Sequence, residues 1–386
     1  MSRISVDRNL RPGFLRAQGT TPLLISALVV VALSYGLGYR LDWSEESGVV
    51  EDEAESAAIP APAASRAVSA PVSAEPAAPA PPAAPAPGIP PEAATIKAAA
   101  LAPDPREAAW NKMTARLQSL AEHYPGRVAI YLKDLRSGRV WMYHPDDLFP
   151  AASLIKVPVM ISAFYQIKEG RLSLDETLRL TRQERVGGSG SLKWWPDGSR
   201  LTVRELLVHM INESDNVATR MLIDRMGMGY VQRQFPRMGL LYTGIYEDGM
   251  SIRGGRVKNE NYTTAREMSM LMEKIYRGEA VDPESSALML AILKKPKAVA
   301  SRLQKGMPSN WEIGHKTGLL RQACHDSAIF FTPAGDYQMT VLTGDNRTYS
   351  QAKDFITELA HVTFDNYAGP RYLAQARARR GRRRWQ

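Results

Sequence analysis

The chain of 386 residues contains a single cysteine, Cys324, and six histidines that show no spacing typical of metal ligands. One cysteine excludes an intramolecular disulfide, and nothing in the sequence indicates a metal site or a cofactor. Adjacent residues of a strand point to opposite faces, so His325 is badly placed to activate the neighbouring thiol. We therefore interpret Cys324 as a buried structural residue and expect no metal and no cofactor.

Large apolar side chains are scarce between residues 59 and 103, which are mostly alanine and proline. Such a stretch cannot form a hydrophobic core and is expected to be a semi-extended spacer. Together with the acidic residues before it, this spacer makes residues 41–105 a predicted disordered linker. One folded domain is predicted to follow at residues 106–367.

Charged residues are absent from residues 22–39, an apolar run of about the minimum length for crossing a bilayer. Arginines within residues 1–19 precede this run and acidic residues follow it, so the N-terminus is predicted to stay in the cytoplasm. We predict an uncleaved inner-membrane anchor at residues 20–40. A cleaved signal peptide, giving a secreted protein, is the alternative. Both place the folded domain in the periplasm or the extracellular space.

The positive charge of the chain is concentrated at its C-terminal end. Residues 368–386 contain seven arginines and no acidic residue, and they account for most of the formal charge of +9. The folded domain is therefore not basic enough to indicate a nucleic-acid partner. We also expect the protein to be a monomer. The tail is predicted to be disordered and solvated, with contact to anionic lipids or cell-wall polymers as the alternative.

Apolar alternation near both ends of the folded domain predicts one antiparallel sheet. Strands are predicted at 127–134, 139–143, 312–318, 326–332 and 337–343. Helical periodicity between and around them predicts helices at 107–123, 154–169, 202–210, 216–226, 264–276 and 350–363. We therefore predict an α+β fold in which a five-stranded antiparallel sheet is flanked by terminal helices. An all-helical insertion follows its second strand, and the site is expected in the cleft between the two parts.

A serine and a lysine stand three residues apart in Ser153-Leu-Ile-Lys156, at the start of a predicted apolar helix. At this spacing both side chains lie on one face of the helix. A serine hydroxyl needs an adjacent base, and a lysine acts as one only when burial or nearby cations lower its pKa. Ser350 and Lys353 repeat the spacing by chance on the last predicted helix, where no later strand remains to complete a site.

Two further motifs follow in order. In Ser214-Asp215-Asn216, Ser214 would relay a proton and Asn216 would bind a substrate amide and hold Lys156, while Asp215 turns inward as a structural group. The alternative is an ordinary N-cap of the helix that follows.

The third motif is Lys316-Thr317-Gly318, on a predicted strand. Lys316 would bring positive charge to the cleft and Thr317 a hydroxyl donor, while Gly318 would let a substrate backbone come close. The next amide, that of Leu319, would form an oxyanion hole with the amide of Ser153.

These motifs, in this order, resemble those of the class A β-lactamase and D-alanyl-D-alanine peptidase group, the penicillin-recognising serine hydrolases. Residues 188–192 and 201–206 are also similar to that group, and the resemblance covers residues 108–366. It implies a β-lactamase/transpeptidase-like fold and, as substrate, a β-lactam or a peptidoglycan peptide. It also implies that Ser153 is the acylated nucleophile, Lys156 its base and Ser214 the proton shuttle. Asn216, Lys316 and Thr317 would bind the substrate.

The sequence departs from class A enzymes where those enzymes carry the glutamate that activates water, in the pattern Glu-x-x-Leu-Asn. The nearest match is Glu247 within residues 246–251, and Asp248 is a further possibility. The salt bridge that usually pins this loop is not visible; Ile245 and Asn261 stand near its expected positions. If Glu247 activates water, the protein is a β-lactamase, which is our leading prediction.

Two alternatives remain open. A solvated Glu247 would give a D-alanyl-D-alanine peptidase or a slow penicillin-binding protein. A non-catalytic cell-wall binding module is the second alternative.

Overall fold

The computed structural model describes residues 104–247, 249, 259–295, 297, 301–308 and 311–368. The predicted anchor, nearly all of the predicted linker and the arginines of the tail lie outside these residues. Within the described ranges, none of the helices combines the length and the apolar character needed to cross a bilayer.

Nine strands occur in the described residues, and five of them form the main sheet. The strands are β1 (Arg127–Asp134), β2 (Val140–Tyr143), β3 (Phe149–Pro150), β4 (Thr177–Arg179), β5 (Arg200–Thr202), β6 (Tyr262–Thr263), β7 (Glu312–Leu320), β8 (Ala323–Phe331) and β9 (Tyr337–Gly344). The main sheet is antiparallel, in the order β2-β1-β9-β8-β7. This confirms the predicted fold class and places β7, which carries Lys316, at an edge.

The described helices surround this sheet. They are α1 (Pro105–Glu122), α2 (Lys156–Lys168), α3 (Val203–Asn212), α4 (Asn216–Met226), α5 (Met228–Met238), α6 (Ala265–Arg277), α7 (Pro283–Lys294), α8 (Arg302–Lys305) and α9 (Tyr349–Tyr367). Helices α5, α7 and α8 are not among those predicted from periodicity. The insertion is also not wholly helical, because β3 pairs with β6 and β4 with β5 inside it.

The sheet separates two apolar clusters, as the alternation of β1 requires. Val128, Ile130 and Leu132 lie in one cluster with side chains of α1 and α9. Ala129, between Val128 and Ile130 in the sequence, belongs to the other cluster, with side chains of α2 to α7. Burial of both faces is what holds the terminal helices and the insertion against the sheet.

Helix starts explain how the motifs are positioned. Thr202 caps α3: its hydroxyl accepts a hydrogen bond from the backbone amide of Glu205. In return, the Glu205 carboxylate accepts a hydrogen bond from the backbone amide of Thr202. This is the capping box that the sequence indicates. Ser153 differs from prediction, because it lies in a 3-10 turn at Ala152–Ile155 and the α-helix begins only at Lys156. Pro158 is thus the third residue of α2, where a backbone amide has no partner within the helix. The proline therefore leaves the helix intact.

Candidate active site

The structure brings the three motifs together at the edge of the sheet. The Nζ atom of Lys156 lies 3.3 Å from Ser153 Oγ and 3.1 Å from Ser214 Oγ. Lys316 Nζ approaches the same Ser214 Oγ to 3.0 Å. The hydroxyl of Ser214 is therefore shared by two lysines, one of which also contacts Ser153.

Lys156 is buried, with 2% of its surface exposed. Asn216 Oδ1 accepts a hydrogen bond from its Nζ at 2.7 Å, and the carbonyl oxygen of Ser214 accepts another. Asn216 keeps Oδ1 directed at the lysine because its Nδ2 donates to Gly187 O at 2.9 Å. Burial lowers the pKa of Lys156 to about 7, against the opposing charge of Asp215. A substantial fraction of this amine is thus neutral at neutral pH, as a base requires.

Lys316 places a second buried amine beside this pair. It is 1% exposed, and its Nζ also donates to Thr317 O at 2.8 Å. Burial, followed by the charges of Lys156, Lys297 and Arg302, holds the pKa of Lys316 well below its ordinary value. Arg302 itself is buried and was missed by sequence reasoning, since an isolated arginine fourteen residues before the motif carries no signal of its own.

Asp215 is fully buried and faces inward. Its Oδ1 accepts from Ala218 N at 2.9 Å and so caps α4, while its Oδ2 accepts from Leu192 N at 2.9 Å. The capping and the catalytic interpretations of this motif are therefore compatible. The carboxylate joins the 188–192 segment to the turn that carries Ser214.

Gly190 allows this junction to close. Its φ is +106°, and a Cβ at this position would lie 2.1 Å from Asp215 Oδ2. We expect Gly190→Ala to lower the free energy of unfolding by roughly 2–3 kcal/mol, as measured by denaturant unfolding. Gly138 is the control, since its φ is +76° but a Cβ there would meet nothing within 4 Å. Gly138→Ala should cost only the backbone strain, about 1 kcal/mol; equal losses in the two variants would contradict this account.

Two residues that are not glycine adopt left-handed backbone conformations beside the reacting groups. Ala152, next to Ser153, has φ +46°, and Ser214 has φ +56°. Such conformations persist only where the surrounding structure enforces them. They fix the directions in which the two serine hydroxyls leave the backbone.

Gly318 brings the nucleophile turn against β7. A Cβ on Gly318 would lie 3.1 Å from Ala152 Cβ and 3.3 Å from His325 Cδ2. The glycine is thus needed for packing inside the protein as well as for the expected approach of substrate. On the same strand, Thr317 directly precedes Gly318 and is partly exposed, and Leu319 directly follows Gly318.

His325 supports this turn from β8 and was missed as a site residue. It is fully buried, its Nδ1 accepts from Thr343 N at 3.2 Å, and its Nε2 lies 2.8 Å from Pro150 O. The ring is therefore neutral with its proton on Nε2, which donates to Pro150. Burial lowers the pKa of His325 to about 4, so this arrangement holds at neutral pH. Cys324 is buried on the other face, as predicted.

Glu247 makes no hydrogen bond to the motif residues among the described part of the chain. Its side chain is exposed, and no hydrogen bond among the described residues joins it to Ser153 or Lys156. The pKa of Arg220 on α4 is raised chiefly by its hydrogen bond to Asp224 and also by the charge of Glu247. The charge of Glu247 therefore acts on a residue of α4, four positions after Asn216. Asp248 lies outside the described residues.

Hydrogen bonds, not a salt bridge, anchor the described parts of the loop that carries Glu247. The Glu267 carboxylate accepts the backbone amides of residues 241–243 at 2.6–2.9 Å. Asn261 Oδ1 accepts from Tyr246 N at 2.7 Å, and Asn261 O accepts from Ala151 N at 2.6 Å. Asn261 therefore binds both the loop and the segment before Ser153. It stands near the position where the family's usual aspartate is missing from this sequence.

Comparison with known proteins agrees with this geometry. Residues 112–367 match the model of the Beta-lactamase enzyme family, which is well over half of the chain. The chain belongs to this β-lactamase family. A β-lactamase of Streptomyces albus G is 27% identical over 239 residues, 59% of this chain and 76% of that protein. The β-lactamase VEB-1 of Pseudomonas aeruginosa is 20% identical over 277 residues, 67% of this chain and 91% of that protein.

Solved structures give the same result. A mutant of PBP-A, solved as an acyl-enzyme complex with penicillin G, is 28% identical with a TM-score of 0.61, and the match covers 66% of this chain and 96% of that chain. A β-lactamase from Sphaerobacter thermophilus DSM 20745 is 26% identical with a TM-score of 0.61, and the match covers the same shares. The family and the fold predicted from the motifs are thereby confirmed.

The second Ser-x-x-Lys of this β-lactamase-family protein is not part of the site. Ser350 is exposed at the start of α9, and its hydroxyl donates to Asp354 at 3.4 Å. Lys353 lies over the ring of Tyr349, 5.9 Å from its centroid. The same spacing thus occurs with and without a catalytic setting in one chain.

Within the described residues, one group of side chains has metal-ligand chemistry. Ligand atoms of His209, Glu213 and Asp215 lie within 4.8 Å of one another. However, Ser191 donates its amide and its hydroxyl to Glu213, and both oxygens of Asp215 accept backbone amides. We interpret this group as the hydrogen-bonded support of the turn that carries Ser214.

Proposed function

We propose that this protein is an exported serine hydrolase that opens the amide bond of β-lactams through an acyl-Ser153 intermediate. The observation that carries the proposal is the contact between Ser153 and Lys156, a buried lysine with a pKa of about 7. Membership of the β-lactamase family supports the reaction class. Export and membrane anchoring are proposed from the apolar run at residues 22–39 alone.

The first half-reaction follows from the hydrogen bonds. Neutral Lys156 takes the proton of Ser153 Oγ as the oxygen attacks the lactam carbonyl carbon. Ser214 lies within hydrogen-bond distance of Lys156 and passes a proton to the lactam nitrogen as the carbon–nitrogen bond breaks. Lys316 and Thr317 bind an anionic group of the substrate, and the amides of Ser153 and Leu319 stabilise the negative oxygen.

The second half-reaction returns free Ser153. A water molecule attacks the ester carbon, and a carboxylate of the protein takes its proton. The sequence assigns this role to Glu247, and that assignment stays a prediction.

A D-alanyl-D-alanine peptidase is the second candidate, and two observations favour it. Glu247 is exposed, and its charge acts on Arg220. PBP-A is among the similar solved structures, at 27% identity and a TM-score of 0.60. Both candidates acylate the same serine, so they differ only in the fate of the acyl-enzyme.

Intact-protein mass spectrometry after mixing with penicillin G tests the proposal. We expect an adduct with the full mass of the penicillin, located on Ser153 by peptide mapping, that disappears as the drug is consumed. Ser153→Ala should form no adduct, whereas the matched variant Ser350→Ala should behave like the unmodified protein.

The other outcomes identify the alternatives. A persistent adduct together with release of D-alanine from a pentapeptide would identify the peptidase. Absence of any adduct, with cell-wall binding unchanged in Ser153→Ala, would identify a binding module.

A further inference from the structure

One peptide bond shortly before the nucleophile is held at both of its polar atoms. Pro150 O and Ala151 N belong to the peptide unit between these two residues, and such a unit is planar. His325 Nε2 lies 2.8 Å from the oxygen, and the nitrogen donates to Asn261 O at 2.6 Å. The orientation of this peptide plane is therefore fixed by the main sheet on one edge and by the residue before β6 on the other.

Little conformational freedom remains between this peptide plane and Ser153. Only the φ and ψ angles of Ala151 and Ala152 intervene. Ala151 has φ −65° and ψ −22°, and Ala152 has φ +46°. Ala152 also lies against β7, since a Cβ on Gly318 would be 3.1 Å from Ala152 Cβ. A rotation of the peptide plane would therefore move Ser153 Oγ relative to Lys156 Nζ, which lies 3.3 Å away.

The His325 ring is itself anchored in the interior of the sheet. It is fully buried on β8, which lies between β9 and β7, and its Nδ1 accepts from Thr343 N of β9 at 3.2 Å. The Thr343 hydroxyl donates to Cys324 O at 2.7 Å and accepts from Asn346 Nδ2 at 2.9 Å. A backbone amide can only donate and a backbone carbonyl can only accept, so both ring nitrogens have fixed roles. The ring thus links the position of Pro150 to that of the inner strands.

We infer that His325 is a positioning residue for the acylation of Ser153 and acts through its hydrogen bond to Pro150 O. The inference rests on the proposed function, because it concerns the first half of that reaction. A misplacement of a reacting atom by about 1 Å can slow a reaction roughly 10²-fold. Lys316 and Thr317, which are proposed to bind the anionic group of the substrate, lie on β7 rather than on this turn. Loss of the bond should therefore slow acylation without weakening the binding of penicillin.

Two amide side chains at this position test the inference in the full chain. The amide of His325→Gln reaches about as far as Nε2 and keeps a donor for Pro150 O. The amide of His325→Asn ends near the place of Nδ1, so it keeps an acceptor for Thr343 N but does not reach Pro150. With penicillin G under single-turnover conditions, we expect the maximal acylation rate to fall roughly 10²-fold in His325→Asn and at most about tenfold in His325→Gln. The Kd of the non-covalent complex should stay within about threefold in both variants.

A third variant and a spectrum separate positioning from stability. Phe330 is also buried on β8, but it belongs to the cluster on the opposite face of the sheet. Phe330→Leu should melt at a lower temperature, as both His325 variants should, and yet acylate Ser153 at the normal rate. In the unmodified protein, nitrogen-15 NMR of labelled histidines should show the His325 proton on Nε2 and none on Nδ1.

Several outcomes would overturn the inference while the proposed function stands. One is an equal maximal acylation rate in His325→Asn and His325→Gln, and another is a change confined to Kd, which would place the effect in substrate binding. A third is a proton on Nδ1 in the spectrum, because the bond from Nε2 to Pro150 O would then be absent. If the unmodified protein forms no adduct on Ser153, the proposed function itself fails, and the inference fails with it.

Discussion

Lys156→Met is expected to slow the acylation of Ser153 by roughly 10³-fold or more. The methionine fills the space of the lysine stem but offers no amine within 3.3 Å of Ser153 Oγ. Ser214 would also lose one of its two lysine partners. The measurement is the rate of adduct formation with penicillin G under single-turnover conditions.

The pH dependence of the same rate identifies the base. The pKa of Lys156 is lowered to about 7, so the amine is protonated below that pH and neutral above it. Acylation by the unmodified protein should therefore rise with pH through about 7 and level off above it. Lys156→Met should lose this rise, since no amine titrates.

A matched control comes from the second Ser-x-x-Lys. Lys353→Met changes the same residue type at the same spacing, on a helix remote in sequence from Ser153, and should leave acylation unchanged. A normal acylation rate in Lys156→Met would show that another group takes the serine proton.

Asp215→Ala is expected to lower the free energy of unfolding by roughly 3–5 kcal/mol. Its carboxylate is fully buried and accepts amides from Ala218 and Leu192, both at 2.9 Å. Removing it leaves two donors without an acceptor in the interior, and each costs about 1–3 kcal/mol. Urea unfolding, followed by circular dichroism, measures the loss.

Asp282 provides the comparison for this variant. It caps α7 by accepting from Ser285 N at 2.8 Å, but its side chain is 29% exposed. Asp282→Ala should therefore cost only about 1 kcal/mol, because water can replace the lost acceptor. A similar loss in Asp215→Ala would mean that Asp215 acts as a simple helix cap.

The parts of the site that the sequence predicts are those formed by residues that are close together in the chain. Ser153 and Lys156 meet because they stand three positions apart on a helical turn, and Asp215 caps α4 because its side chain is short and adjacent. Helix α4 matches its predicted bounds, and the capping box of Thr202 forms as expected. Local chemistry decides each of these features.

Features that depend on tertiary contacts were not predictable in the same way. The strand order, with β7 at an edge, follows from packing between segments distant in the chain. The start of β8 at Ala323 rather than 326 depends on a tight turn in which Gln322 has φ +61°. Arg302 and His325 are buried single residues, and only the fold brings them close to the Lys-Thr-Gly strand.

The loop after α5 shows why a motif search reaches only part of the function. Glu247 stands out in the sequence because its neighbours look similar to a family pattern. The structure instead pairs the segment ending at Thr263 with the strand that leads to Ser153. A pairing between strands so far apart in the chain leaves no trace in the residues around Glu247.

Because of the left-handed backbone at Ala152 and Ser214, substitutions that raise thermal stability at these positions can lower activity. Each such conformation costs an L-residue with a side chain about 1–2 kcal/mol, and glycine would remove that cost. A screen for thermal resistance alone would therefore favour glycine at Ser214, where it deletes the hydroxyl shared by the two lysines. Variant libraries of this chain should therefore be selected for turnover as well as for melting temperature. Otherwise the variants with the highest melting temperature will be those without catalytic activity.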